Sequence, residues 1–553
     1  MRTSGILLPI TSLPSKYGIG CFSKEAYEFV DFLEKAKQTY WQILPLGPTS
    51  YGDSPDQSFS TFAGNPYFID LTKLIEKGLL TAKECDLVDF GDNKSYVDYG
   101  KIYEGRFDLL RTAYKRSKIE KDKDYKAFCK ENEDWLFDYA AYMAIKDSFG
   151  GISFVEWPED IRTREPKVLE AYVKKLQEEI GFYSYLQYEF YSQWKELKAY
   201  ANEKGIKIIG DIPIYVSPDG SDVWANPELF QMEDGKPTAV AGCPPDGFSP
   251  TGQLWGNPLY DWDYHKRTGY KWWIKRMSHS NQLYDVIRID HFRAFDQYYS
   301  IPAEDDTAEH GTWVDGPGYA LFEAIEKAVG KIPIIAEDLG YITDTVRKLV
   351  KDTGFPNMKV LQFAFDSRDS SGPKDYLPYN YPNNCVVYTG THDNETLCGW
   401  LTSITEEELR YVADYIGDVP FSTTIAQWHK ERPMASSDGQ CDKERPLAST
   451  DGQCDKERPM ASTNAQCMKP ALERICKGLI RAAHSSVADY CIIPLQDYLC
   501  LGNEARINTP STTGDNWKWR YEQGVLTEEL ATEIAGLTKL YGRDFQKVED
   551  VVE

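Results

Sequence analysis

Eight short apolar runs, each closed by a Gly, Pro or polar cluster, constrain the fold of this chain more than any other feature. They are GILLPI (5–10), YWQILPL (40–46), IKIIGDIPI (206–214), YDVIRID (284–290), IPIIAED (332–338), MKVLQFAF (358–365), NCVVYTGT (384–391) and DYCIIPLQ (489–496). Near-continuous hydrophobicity over about six residues fits a parallel strand buried on both faces. Helical periodicity lies between the runs. In 23–37, Ser23 is placed as an N-cap, and Ala26, Phe29, Val30 and Leu33 recur at i, i+3, i+4, i+7. Segments 319–330 and 341–351 repeat the pattern. Strands and helices in this count and order predict an α/β fold, a (β/α)8 barrel. A doubly wound open sheet is the alternative, but no Gly-rich phosphate fingerprint follows the first run.

The spacing of the runs is uneven and predicts insertions after strands 2, 3 and 7, where a barrel builds its site. The chain then reads as one catalytic barrel over 1–553. Its insertions are a mainly helical one at 71–200, a cleft-lining one at 215–275 and a third at 398–485. The third contains a thirteen-residue repeat at 430–467: KERPMASSDGQC, DKERPLASTDGQC and DKERPMASTNAQC. With so little to bury, these units predict a flexible, solvated surface loop without a catalytic role.

Charge and composition exclude some classes of partner. The net charge of −24, from 62 basic and 86 acidic residues, repels phosphate backbones, and no basic stripe offsets it, so no nucleic acid is expected. No apolar run reaches the ~20 residues of a membrane span. The apolar stretch near the N-terminus is too short for a signal-peptide core. The twelve cysteines form no C-x-x-C pair and no ligand cluster beside the seven histidines. Reduced thiols and a cytoplasmic location are therefore expected. Aromatic residues make up 14% of the chain; they serve packing or stack against sugar rings.

Three runs end in acids. The fourth closes on Arg288-Ile-Asp290-His291, and alternation along a strand puts Arg288 and Asp290 on one face. A guanidinium there favours a charged carboxylate, as a nucleophile requires. The fifth closes on Glu337-Asp338, two carboxylates too costly to bury unpartnered. The seventh closes on Thr391-His392-Asp393-Asn394-Glu395. Retaining glycosidic cleavage needs such a set: one carboxylate to attack the anomeric carbon and one of raised pKa to protonate the leaving oxygen. A third can hold ring hydroxyls, and all three stabilise the positive charge of the transition state.

IRIDHF, IAEDLG and TGTHDNET resemble the barrel motifs of the amylomaltase family, the 4-α-glucanotransferases or disproportionating enzymes. LLPITSLPSKYGIG, LPLGPTSYGDSP, FAGNPYFIDL, GDIPIYV, GQLWGNPLYDW and ARINTPSTTGDNWKWR support the resemblance over nearly all the chain except the repeat. It implies Asp290 as nucleophile, Glu337 as general acid/base and Asp393 as the clamp on sugar hydroxyls. It further implies sugar contacts from Asp211, Arg288, His392 and Ser54, and Trp255 as the aromatic of a flexible cleft-lining loop. The implied partners are α-1,4-glucans, namely maltotriose and longer maltodextrins with glucose as acceptor, and the family works without a nucleotide or metal cofactor. Two positions depart from its pattern: Asp56 stands in SPDQS where the family usually has an aromatic, and Gly247 stands in PPDGFS where it often has Tyr. An α-glucan hydrolase and a non-catalytic glucan-binding barrel are the competing expectations.

Overall fold

Each apolar run contributes one strand to a closed barrel in the computed structural model, which describes residues 2–50, 52–245, 249–340, 342–366, 373–418 and 462–544. The strands are β1 (Thr3–Leu7), β2 (Tyr40–Gln42), β3 (Lys207–Pro213), β4 (Val286–Asp290), β5 (Ile334–Ala336), β6 (Asn357–Val360), β7 (Cys385–Tyr388) and β8 (Tyr490–Pro494). Every pair is parallel, sequence neighbours are barrel neighbours, and β8 closes onto β1 from Thr3–Tyr490 to Leu7–Pro494. This is a (β/α)8 barrel. Burial on both faces explains the unbroken apolar runs: β1 and β7 are buried at every residue.

The ladders stop short of the runs that announced them. After β6, Leu361–Phe365 turn into a 3-10 helix that still buries Leu361, Ala364 and Phe365. Hydrophobicity reports burial, and a buried turn over the barrel mouth carries the same signal as a strand. Gly210 in β3 shows how tightly the wall is packed. A Cβ there would meet the Tyr284 ring at 2.1 Å, so only glycine lets that ring lie against the strand.

The helices follow their periodicity. Helix Lys24–Lys35 starts after Ser23 and buries Ala26, Phe29, Val30 and Leu33. The Ser23 hydroxyl bonds Ser15 and Glu25 instead of a helix amide. Helices Tyr319–Val329 and Asp344–Thr353 occupy the other two periodic segments. No helix among the described residues is long and apolar enough to cross a membrane.

Four connections shape the mouth. Between β2 and β3 lies the 27-residue helix Gln177–Glu203. Its buried Gln187 brackets Gly64, accepting from the amide at 2.7 Å and donating to the carbonyl at 2.9 Å, and Gln193 accepts from the Asp70 amide at 2.7 Å. These bonds satisfy backbone that has no sheet partner and fix the loop after β2. A four-stranded antiparallel sheet covers another side, in the order Thr312–Asp315, Gln297–Pro302, Ala239–Cys243, Gln253–Pro258. Two of its strands follow β4, a connection the sequence did not flag, because Thr312–Asp315 is exposed throughout and carries no apolar pattern.

After β7 come helices Leu397–Ser403, Glu406–Ile416 and Ser462–Ser485. Residues 430–461 of the repeat lie outside the described residues. Its last six, expected as loop, open helix Ser462–Ser485 instead. The third copy reads STNAQC where the first two read SSDGQC and STDGQC, so Asn-Ala replaces Asp-Gly and removes a strong helix breaker.

Candidate active site

The chemistry gathers where β3, β4, β5 and β7 reach the C-terminal rim of the barrel. Alternation on β4 turns Arg288 and Asp290 to the same side, and their side chains pair, Nη2 to Oδ1 at 2.8 Å. The same guanidinium holds Asp211 of β3 through Nη1 at 2.7 and 2.6 Å, and its Nε meets the Met358 sulfur at 3.3 Å. Arg288 and Asp211 are both 3% exposed, while Asp290 is 38% exposed. A buried cation thus fixes the orientation of a carboxylate that faces the cleft. Burial pushes the Asp211 pKa up against the pull of Arg288, and Asp290 adds to the rise.

Glu337 follows β5 directly. Its Oε2 accepts from the His291 amide and its Oε1 from the Leu339 amide, both at 2.7 Å. His291 can present that amide because it takes a left-handed conformation, φ 51°, at the end of β4. Such a φ costs energy in a non-glycine residue and is held by its surroundings. The His291 ring stands edge-on to Trp255 at 4.8 Å, and burial lowers its pKa to about 4, so it is neutral. Burial, followed by the charge of Asp290, raises the Glu337 carboxyl to about 8, against the pull of Arg288 and the Leu339 amide. Its neighbour Asp338 has a structural task, accepting from the Met358 amide at 3.0 Å and Asn357 Nδ2 at 3.1 Å.

Asp393 lies in the loop after β7, with its Oδ1 accepting from Asn508 Nδ2 at 2.6 Å and its carbonyl from Arg506 Nη2 at 2.9 Å. His392 is 5% exposed, with Nε2 3.5 Å from Asp393 Oδ2 and Nδ1 without a hydrogen-bond partner. The Asn508 amide donates to the His392 carbonyl at 3.1 Å, so one segment beyond β8 holds both residues.

The loop after β2 brings in Ser54 and Asp56. Ser54 Oγ accepts from the Asp56 amide at 3.3 Å. Asp56 joins their cluster electrostatically. Its carboxyl is pushed well above the usual range by burial, then by the charges of Asp290, Asp393 and Asp211. Trp255, expected in a loop, lies on the strand Gln253–Pro258, its indole bonded to Gln253 Oε1 at 3.1 Å. A strand places the ring against His291 more firmly than a loop would. Gly247 lies outside the described residues.

Direct contacts therefore join Asp211, Arg288 and Asp290, join Glu337 to the end of β4, and pair His392 with Asp393. The sequence assigned no role to Asn508, Arg506 or the His291 amide. ARINTP was visible as a motif, but its partner Asp393 is more than a hundred residues away, and no local spacing reveals that pairing.

With this geometry in place, comparison with known proteins is informative. The glycoside hydrolase 77 profile, described as 4-alpha-glucanotransferase, matches residues 8–527. A 4-alpha-glucanotransferase of Clostridium butyricum is 47% identical over 97% of this chain and 99% of its own length. One from Thermus thermophilus is 42% identical over 97% and 98%. The solved amylomaltase of Streptococcus agalactiae, in complex with acarbose, superposes with a TM-score of 0.85 at 40% identity, covering 98% of this chain and 100% of that one. The chain belongs to the 4-alpha-glucanotransferase family, glycoside hydrolase family 77.

Proposed function

We propose that the chain moves α-1,4-glucan segments between maltodextrins by double displacement, with Asp290 as nucleophile, Glu337 as acid/base and Asp393 as the hydroxyl clamp. The observation that carries this assignment is the contrast between two carboxyls on one rim. Asp290 is held by a buried guanidinium, and Glu337, raised to about 8, retains its proton at neutral pH. In the first step Asp290 attacks the anomeric carbon while the Glu337 proton passes to the departing 4-oxygen, leaving a glycosyl ester and a Glu337 carboxylate. In the second, an acceptor 4-hydroxyl gives its proton to Glu337 and displaces Asp290. His392, with Nε2 3.5 Å from Asp393 Oδ2, supports the clamp from behind. Trp255 offers a face beside His291 for ring stacking.

The substrates we infer are maltotriose and longer maltodextrins as donors, with glucose among the acceptors. We place the enzyme in the cytoplasm, a compartment whose reducing poise suits buried thiols such as those of Cys21, Cys85, Cys385 and Cys491. Trapping tests the nucleophile. Glu337→Gln supplied with an α-maltosyl fluoride, whose leaving group needs no proton, should accumulate a maltosyl ester on Asp290, seen by peptide mass spectrometry. Asp290→Asn should lose all but about a hundredth of turnover or less. An ester elsewhere, or higher residual activity, would overturn the assignment.

A further inference from the structure

Asp497 ties together both ends of the loop that carries Asp393. It lies in the short helix Leu495–Tyr498, directly after β8, and is only 1% exposed. Its Oδ2 accepts from the Thr389 hydroxyl at 2.6 Å, at the end of β7. Its Oδ1 accepts from the Leu397 amide at 2.7 Å, where helix Leu397–Ser403 begins. Thr389 and Leu397 are each four residues from Asp393 in the chain. One carboxylate thus closes the base of a loop that has Asp393 at its midpoint.

The loop above that base is braced from within. Asn394 Oδ1 accepts from both the amide and the hydroxyl of Thr391, at 2.8 and 2.9 Å, closing a turn around His392 and Asp393. Gln362 adds a brace, donating from Nε2 to the Glu395 carbonyl at 2.9 Å and from its amide to the Thr389 carbonyl at 3.2 Å. A turn closed in this way absorbs little movement of its ends, so a shift at Thr389 or Leu397 is carried to Asp393.

Packing alone does not account for a carboxylate at 497. Burial raises it to about 6 against the pull of its two bonds, so it is ionised at neutral pH in a place where a charge is costly. An apolar side chain would hold the short helix onto the barrel without that cost. Bridging Thr389 and Leu397 takes two polar atoms on one side chain.

We propose that Asp497 is a positioning residue for glucan transfer: by fixing the separation of Thr389 and Leu397, it sets where Asp393 meets the sugar hydroxyls. Asp393 acts here in the clamp role proposed above, on which this assignment rests. A misplacement of ~1 Å at such a contact can cost ~100-fold in rate. Arg506 and Asn508 still hold Asp393 when the bridge is lost, so the loss is partial. It falls on kcat more than on KM, because the clamp works hardest on the charged transition state.

The test compares kcat and KM on maltotriose, with thermal melting, for the full-length wild type, Asp497→Ala, Asp497→Asn, Asp393→Asn and the double variant Asp393→Asn/Asp497→Ala. Asp497→Ala should lose roughly 10–100-fold in kcat while KM stays within about threefold. Asp497→Asn should recover to within about fivefold of wild type, since Oδ1 can still accept from Leu397 and Nδ2 can donate to the Thr389 hydroxyl. In the Asp393→Asn background, Asp497→Ala should cost less than about twofold more, because the group it positions is already gone. Thr389→Val removes one of the two bonds with little change of volume and should lose about 5–10-fold in kcat, which keeps the test open where Asp497→Ala does not fold. Wild-type kcat in folded Asp497→Ala or in Thr389→Val, or the full loss repeated in the Asp393→Asn background, would overturn the proposal. Wild-type activity in Asp393→Asn would instead remove the clamp role itself, and this assignment with it.

Discussion

Two carboxyls near Asp290, Glu337 and Asp56, differ in what surrounds them, and that difference separates the roles proposed for them. Glu337 is raised mainly by burial, so its proton is lost only as pH passes about 8, and an enzyme that needs a proton donor slows there. Asp56 stands at the same cleft, raised by burial and by like charges, and it repels Asp290, Asp393 and Asp211 whenever it ionises. Replacing it with Tyr removes that repulsion and offers a ring face to the glucan. Asp56→Tyr should lower the maltodextrin KM severalfold, roughly 0.5–1.5 kcal/mol of added stacking. The alkaline limb of kcat/KM should stay near pH 8, since burial of Glu337 is unchanged. Steady-state kinetics across pH 5–10 checks both. An unchanged or higher KM, or a limb displaced by more than about a unit, contradicts this account of the two carboxyls.

At the scale of elements, what the sequence discloses depends on how far apart the cooperating residues lie. The eight strands and the Arg288–Asp290 pair are legible because each rests on neighbours within a few residues. The length of each run overstates its strand, as at Leu361–Phe365, because burial continues where the ladder ends. The antiparallel sheet was missed because it joins strands from two connections, one of them polar and exposed. Asn508 was missed for the same reason: its partner Asp393 comes from another element. The segment 503–508 therefore predicts an effect that its sequence alone does not. Asn508→Ala should reduce kcat/KM by about 10–100-fold, the worth of a hydrogen bond to a charged group at ~1.5–3 kcal/mol. Activity and thermal melting measured together separate this from unfolding. Loss of activity with an unshifted Tm fits a positioning role for Asn508. Full activity would detach it from the site.

The whole molecule carries a charge of −24 and several buried carboxyls whose pKa is raised. Burial lifts Asp53, Asp222 and Asp497 to about 6 and Glu337 to about 8. The folded state therefore holds carboxyl protons that the unfolded chain has released, while burial lowers His265, His279 and His291 to about 4 and His484 to about 3. Below pH ~6.5 the two sets oppose each other, and above it the loss of the Glu337 proton lowers stability up to about pH 8. Melting should be higher at pH 7 than at pH 8.5 at constant ionic strength, the window in which Glu337 loses its proton; scanning calorimetry showing the reverse would contradict its environment. The barrel brings its acids together only when the ring closes, and the ester proposed on Asp290 must then react with a sugar in competition with water. The measurement that tests this most directly is incubation with maltotriose alone, following chain length and reducing ends over time. The account predicts glucose and a ladder of longer maltodextrins while reducing ends stay nearly constant, because transfer conserves them. A steady rise in reducing ends, with no product longer than maltotriose, would contradict it.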